Sequence, residues 1–170
     1  MPVQPLEEKK LPPNAKTSFG ASRSATGRPA ECGGGHCGVD LYYWNGEKDR
    51  NIGIGRPVFA VAAGKVIAAS ESASAGKFVW IQHADFRSHY VHLDSYFVHT
   101  GDQVAEGQQI GTLGRTGITT DPAHLHFALS TLGGTYYDPV PYLKSWPVVA
   151  GGIGAGVLLA AAALYWYLKR

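Results

Sequence analysis

PVFAVAAGKVIAASESASAGKFVWIQHADFRSHYVHL, residues 57–93, decides the fold class of this chain. Its apolar runs are short, rich in Val, Ile, Phe and Tyr, and broken at Gly64 and Gly76. Runs of that length and composition between glycines read as antiparallel strands rather than helices. The pattern continues outward through a turn at Gly107, QQIGTLG at 108–114 and HLHFALS at 124–130. In the last of these, Leu125, Phe127 and Leu129 alternate with His124, His126 and Ala128, so one strand offers an apolar face and a face bearing imidazoles. With 22 glycines and 10 prolines, the expected fold is mainly β, an antiparallel sheet or sandwich.

The chain of 170 residues has room for one catalytic domain, which we place at 31–146. Residues 1–30 are rich in Pro, Ser, Lys and Ala without hydrophobic periodicity, and are expected to form a flexible arm able to contact a neighbouring capsid or envelope protein. No apolar stretch follows the arm's charges, so no secretory signal is expected there. Residues 147–170 form the third segment. Val148–Leu168 holds 21 residues without a charge, enough to cross about 30 Å of hydrocarbon, and is expected to be a transmembrane helix. Trp146 and Tyr165–Tyr167 would serve as its interfacial anchors. Gly152 and Gly156 supply the small-residue spacing that suits a homodimer of such helices.

Charged residues make up 16% of the chain and the formal net charge is +2, which excludes the broad basic field that nucleic acid requires. Cys32 and Cys37 match no CxxC zinc pair. Their spacing across Gly33–Gly35 suits a small disulfide and equally two buried thiols. Tyr42–Gly55 mixes aromatic, charged and glycine residues without a period and reads as a surface loop beside the site, either lining a groove or packed on its own side chains.

Chemistry must come from the seven histidines. His36 and Asp40, four apart in a glycine-rich segment, share a face if that segment is extended. His124 and His126 share a face of their strand. Three nitrogen or oxygen ligands with one open position meet the needs of a catalytic zinc site. No HExxH helix is present, so a glutamate base of that type is missing.

In order along the chain, GHCGVD, GRPVFAVAAGKV, YVHLDS and GDQVAEGQQIGTLGRTG leading to HLHF resemble the motifs of the lysostaphin or LytM family of zinc metalloendopeptidases, over about Gly35 to Tyr142. The resemblance implies the barrel-sandwich fold of that family, one zinc ion per chain held by His36, Asp40 and His126, and catalytic roles for His92 and His124. It also implies hydrolysis of peptide bonds in the stem peptide or cross-bridge of peptidoglycan. The alternative is a catalytically silent relative that binds wall peptide or serves as a structural membrane protein. The longer Tyr42–Gly55 segment and the two cysteines depart from the family pattern and bear on specificity. His83 is read as structural or as an outer support of the metal site, His89 and His99 as surface residues, and Asp85 and Asp94 as turn residues or as carboxylates orienting an imidazole from outside the metal ligands.

A wall-cutting enzyme without an export signal poses a problem of delivery. Placement in the membrane of a bacterial virus, with the enzyme meeting the wall during entry, resolves it. A resident bacterial envelope hydrolase is the alternative, and Lys169 and Arg170 hint at a cytoplasmic C-terminus in that case.

Overall fold

The computed structural model describes residues 2–7, 18–20, 35–43, 48–118 and 122–148. Among them lie nine strands: β1 (Val39–Tyr42), β2 (Pro57–Phe59), β3 (Gly64–Ser72), β4 (Gly76–Gln82), β5 (Phe86–Tyr96), β6 (Gln103–Val104), β7 (Gln109–Leu113), β8 (His124–Thr131) and β9 (Tyr136–Tyr137). One short helix, α1 (Val140–Ser145), follows. All strand pairs are antiparallel, in the order β1-β8-β5-β4-β3-β6, with β7 joining β5 to β2 and β9 lying on β8. The mainly β expectation therefore holds, as a single branched sheet.

The branch is made by β5, the longest strand. Phe86–Val91 pair with β8, whereas Leu93, Ser95 and Tyr96 pair with β7. His92 stands between the two sets, at a bulge where Lys77 faces Leu93 but Val79 faces Tyr90. An extra residue in one strand bends it and redirects side chains. Here the bulge lets one strand serve two partners and leaves an open seam between β7 and β8, bridged by Gly114 and His124. Beneath the sheet, Val66, Val79, Ile81, Tyr90, Leu93 and Phe127 belong to one buried cluster. The burial of such side chains, at about 1.5–3 kcal/mol each, is what holds the sheet to its register.

Several expectations change against the structure. The first residues of the expected flexible arm are fixed to the domain. The Val3 N–H donates to the Val61 carbonyl and Phe59 N–H to that of Pro5, while Leu6 is 1% exposed within the core. Gln4 donates from its side-chain amide to the carbonyls of Leu143 and Trp146 at the end of α1. A lone leucine among polar neighbours gives no periodicity, yet one well-placed apolar side chain and backbone pairing with the β2 segment suffice to dock it. Trp146, read as an interfacial anchor, is 7% exposed and packs beside Phe86 and Tyr142. Asp94 lies within β5 rather than in a turn.

The loop after Tyr42 follows the self-packed reading in its described part. Tyr43 is buried, with the Arg56 guanidinium 4.4 Å from its ring centroid, and the Arg50 carbonyl accepts from Ala123 N–H beside β8. Cys37 is disulfide-bonded, and Cys32, the other cysteine of the sequence, lies outside the described residues. Among the described residues no helix is long and apolar enough to cross a membrane. The expected transmembrane run 148–168, apart from Val148, and Gly152 and Gly156 within it, lie outside the described residues.

Candidate metal centre and active site

Register explains how distant residues meet. On β1 and β8, Asp40 is paired with His126 and Tyr42 with His124, and residues directly opposite across a strand pair project to the same face. His36 precedes β1 and reaches the same point by an extended approach that Gly38 permits. A Cβ at Gly38 would stand 2.3 Å from the Phe127 carbonyl oxygen, so any side chain there would push the His36 segment off the sheet.

His36 Nε2 is 2.9 Å from His126 Nδ1 and 3.1 Å from Asp40 Oδ1, and His126 Nδ1 is 2.9 Å from the same oxygen. Three ligand atoms at the corners of a triangle with edges near 3 Å approach the spacing of about 3.3 Å that tetrahedral zinc with bonds of ~2.0–2.1 Å demands. Among the described residues this trio is the group of His, Asp, Glu or Cys side chains able to hold a metal ion together. The donor set, two imidazoles and a buried carboxylate, fits zinc.

Backbone carbonyls set the histidines. The carbonyls of Ser18, Thr116 and Pro122 lie 3.0, 2.8 and 2.8 Å from Nδ1 of His36, His92 and His124 respectively. With Nδ1–H donating to a carbonyl, each ring must carry its lone pair on Nε2, the tautomer needed for a ligand or a base. His124 Nε2 stands 3.7 Å from Asp40 Oδ1. The His92 ring centroid lies 4.9 Å from that of His124 and 6.2 Å from that of His126. All five sequence-derived site residues, His36, Asp40, His92, His124 and His126, thus converge on one face of the sheet.

His92 is there because of the bulge. Strict alternation would turn it to the side of Tyr90, into the core. Instead its backbone adopts φ 66°, a left-handed conformation costly for a non-glycine residue and therefore maintained by its surroundings. Thr116 does much of the holding. Its carbonyl accepts from His92 Nδ1–H, its Oγ1 donates to the Leu93 carbonyl and accepts from Lys77 N–H. Gly76 and Gly117, both at positive φ, let the turn into β4 press against this loop, since a Cβ on Gly76 would come within 2.3 Å of Thr116. Sequence reading missed Thr116 and Ser18; the RTG triplet before HLHF was the available signal for the first, and a carbonyl contact leaves no signal for the second.

Burial would push the Asp40 carboxyl up, yet hydrogen bonds to His126 and His36 outweigh it and hold Asp40 well below the usual carboxylate range. Burial lowers His126, against the pull of Asp40. Burial, with the neighbouring His124 and His126, lowers His92 to about 4. The anionic carboxylate and neutral imidazole are the forms that bind a metal and accept a proton.

The remaining histidines divide. His83 Nε2 meets Ser88 Oγ at 2.8 Å and its Nδ1 meets the Ala63 carbonyl at 2.9 Å, on the core side away from the trio, so it is structural. His99 is exposed at the surface, its side chain 86% accessible. His89, expected at the surface, is buried on the site face, because Trp80 of β4 and Tyr136 of β9 cover its ring.

The chain is similar to known peptidases in sequence and in fold. The profile of Peptidase family M23 matches residues 36–139. Lysostaphin of Staphylococcus simulans is 40% identical over 119 residues, 66% of this chain but 22% of the lysostaphin sequence. The solved catalytic domain of that lysostaphin superposes with a TM-score of 0.59 at 34% identity, covering 75% of this chain and 90% of the domain. A zinc-containing peptidase from Vibrio cholerae gives 0.62 at 27% identity, covering 81% and 39%.

Proposed function

The chain belongs to peptidase family M23, and from that premise we propose that it is a zinc metalloendopeptidase cutting peptide bonds of peptidoglycan. The observation that carries the reading is the convergence of His36 Nε2, Asp40 Oδ1 and His126 Nδ1 at 2.9–3.1 Å, with the neutral His92 beside them. When bound there, zinc supplies the Lewis acidity that makes a hydroxide nucleophile available near neutral pH.

The protein's own groups divide the rest. His36, Asp40 and His126 hold the ion and leave one side open toward His92 and His124. One of those two imidazoles, with Nε2 unprotonated, takes the proton of the attacking water, and the other steadies the oxygen of the carbonyl under attack as an imidazolium, protonated at Nε2 as well as at the anchored Nδ1. The similar Nδ1 anchoring of both leaves the two assignments interchangeable. The complete ligand set and acid–base pair support catalysis over a silent wall-binding role. Purified peptidoglycan incubated with the protein should release new amino groups, and His126→Ala should abolish the release; binding without release in the parent protein would favour the silent role.

Residues 148–168 serve in this proposal as a membrane anchor, supported by their length and lack of charge, and a viral membrane is the favoured site of display. Cell fractionation that finds the protein solely in the envelope of uninfected bacteria would transfer it to the resident hydrolases.

A further inference from the structure

Along β8 from the metal ligands, the same sheet face continues into a second polar cluster. Alternation brings Ala128 and Ser130 onto the face of His124 and His126. The register sets His89 opposite Ala128 and Arg87 opposite Ser130, with Trp80 beside His89 on β4 and Tyr136 beside Ser130 on β9. Trp80, Arg87, His89, Ser130 and Tyr136, with the Gly133–Gly134 turn, line a pocket of about 380 Å³.

The imidazole of His89 is its centre. The residue is 6% exposed, and its ring centroid lies 5.1 Å from those of both Trp80 and Tyr136. Nε2 meets Ser130 Oγ at 2.9 Å. Nδ1 is buried with no hydrogen-bond partner among the described residues. A buried polar atom left without a partner is destabilising and rare, and calls for a reason. At the rim, half-buried Arg87 directs Nε and Nη2 to the neutral Gln82 Oε1, both at 3.3 Å, a weak use of a guanidinium whose fork matches a carboxylate. Among the described residues no acid lines the pocket.

We propose that this pocket is a substrate subsite for a carboxylate group of the wall peptide, bound by Arg87 with the His89–Ser130 pair between aromatic walls. The proposal rests on the peptidase reading. His126 and Ser130 are four residues apart on one strand, a span of roughly 13 Å at ~3.3 Å per residue, which an extended peptide covers in about four residues. A peptide held over the metal ligands therefore presents a group a few residues from its scissile bond to Arg87. The carboxylate gains charge-assisted hydrogen bonds, and the pocket gains a partner for polar atoms that the chain itself does not satisfy.

The test uses the full-length, zinc-loaded protein and two synthetic wall peptides that differ only in bearing free carboxylates or the corresponding carboxamides. The parent protein should show a KM about tenfold lower for the carboxylate peptide, at similar kcat. Arg87→Gln should raise that KM to the carboxamide value. Equal KM values in the parent, or a preference that survives in both Arg87→Gln and His89→Gln, would overturn the proposal. If neither peptide is cut, the peptidase reading fails instead, and calorimetric binding of the same pair decides the subsite. Tighter binding of the carboxylate form that Arg87→Gln removes would support it, and equal binding would refute it.

Discussion

Two histidine-containing networks occupy opposite faces of the sheet, and their difference separates chemistry from structure. On the core side, His83, Ser88 and Tyr90 form a closed chain. The Ala63 carbonyl accepts from His83 Nδ1–H, Ser88 Oγ meets the other imidazole nitrogen and pairs with Tyr90 Oη, and that oxygen accepts from Val61 N–H. A serine 2.8 Å from an imidazole resembles a nucleophile and its base, but Ser88 is fully buried and every partner is consumed. On the open side, His36, His92 and His124 each spend Nδ1 on a backbone carbonyl and turn Nε2 toward a shared space. One nitrogen held and one free makes a reagent; two held make a strut.

The comparison breaks most visibly at His92. His92→Ala should lower kcat by about a hundredfold or more while zinc content stays unchanged. A loss of zinc together with activity would instead make His92 part of the ion's support.

Acid should expose the burial of the open face. His89 and His92, both with burial as the leading cause, titrate at about 4 in the folded protein against ~6.5 when unfolded. The unfolded chain therefore binds more protons between those values, and stability falls as pH drops from about 6.5 to 4. Denaturant midpoints of chelator-treated protein should show this slope, and His89→Phe should flatten it.

Thr116→Val keeps the carbonyl that holds His92 Nδ1 but removes the hydroxyl that ties Leu93 to Lys77 across the bulge. A loss of about tenfold in kcat with KM held is expected, since small misplacement of a base is costly. Smallest is Ser88→Ala, which should cost about 1 kcal/mol of stability, measured by urea unfolding, and leave kcat within twofold. A fall in kcat comparable to that of His92→Ala would erase the distinction between the faces.

Much of this was legible from the residues. The glycine-bounded Val, Ile and Phe runs gave the strands, and alternation in HLHFALS put both imidazoles on one face, because period two is a local property. Motif order supplied the five site residues. What escaped was non-local. The bulge at His92 depends on β5 changing partners, and the docking of Leu6 depends on a surface built some fifty residues later. His89 looked like any charged-neighbourhood surface histidine until Trp80 of β4 and Tyr136 of β9 closed over its ring.

In the proposed enzyme one zinc ion is gripped jointly by the first and last histidine segments. X-ray absorption at the zinc edge, on the purified protein with its metal content quantified, tests it most directly. One zinc per chain with two imidazoles and a carboxylate in its coordination shell is the predicted spectrum, lost in Asp40→Ala. A protein that retains no zinc under conditions of excess, or whose zinc shell is unchanged by Asp40→Ala, would contradict it.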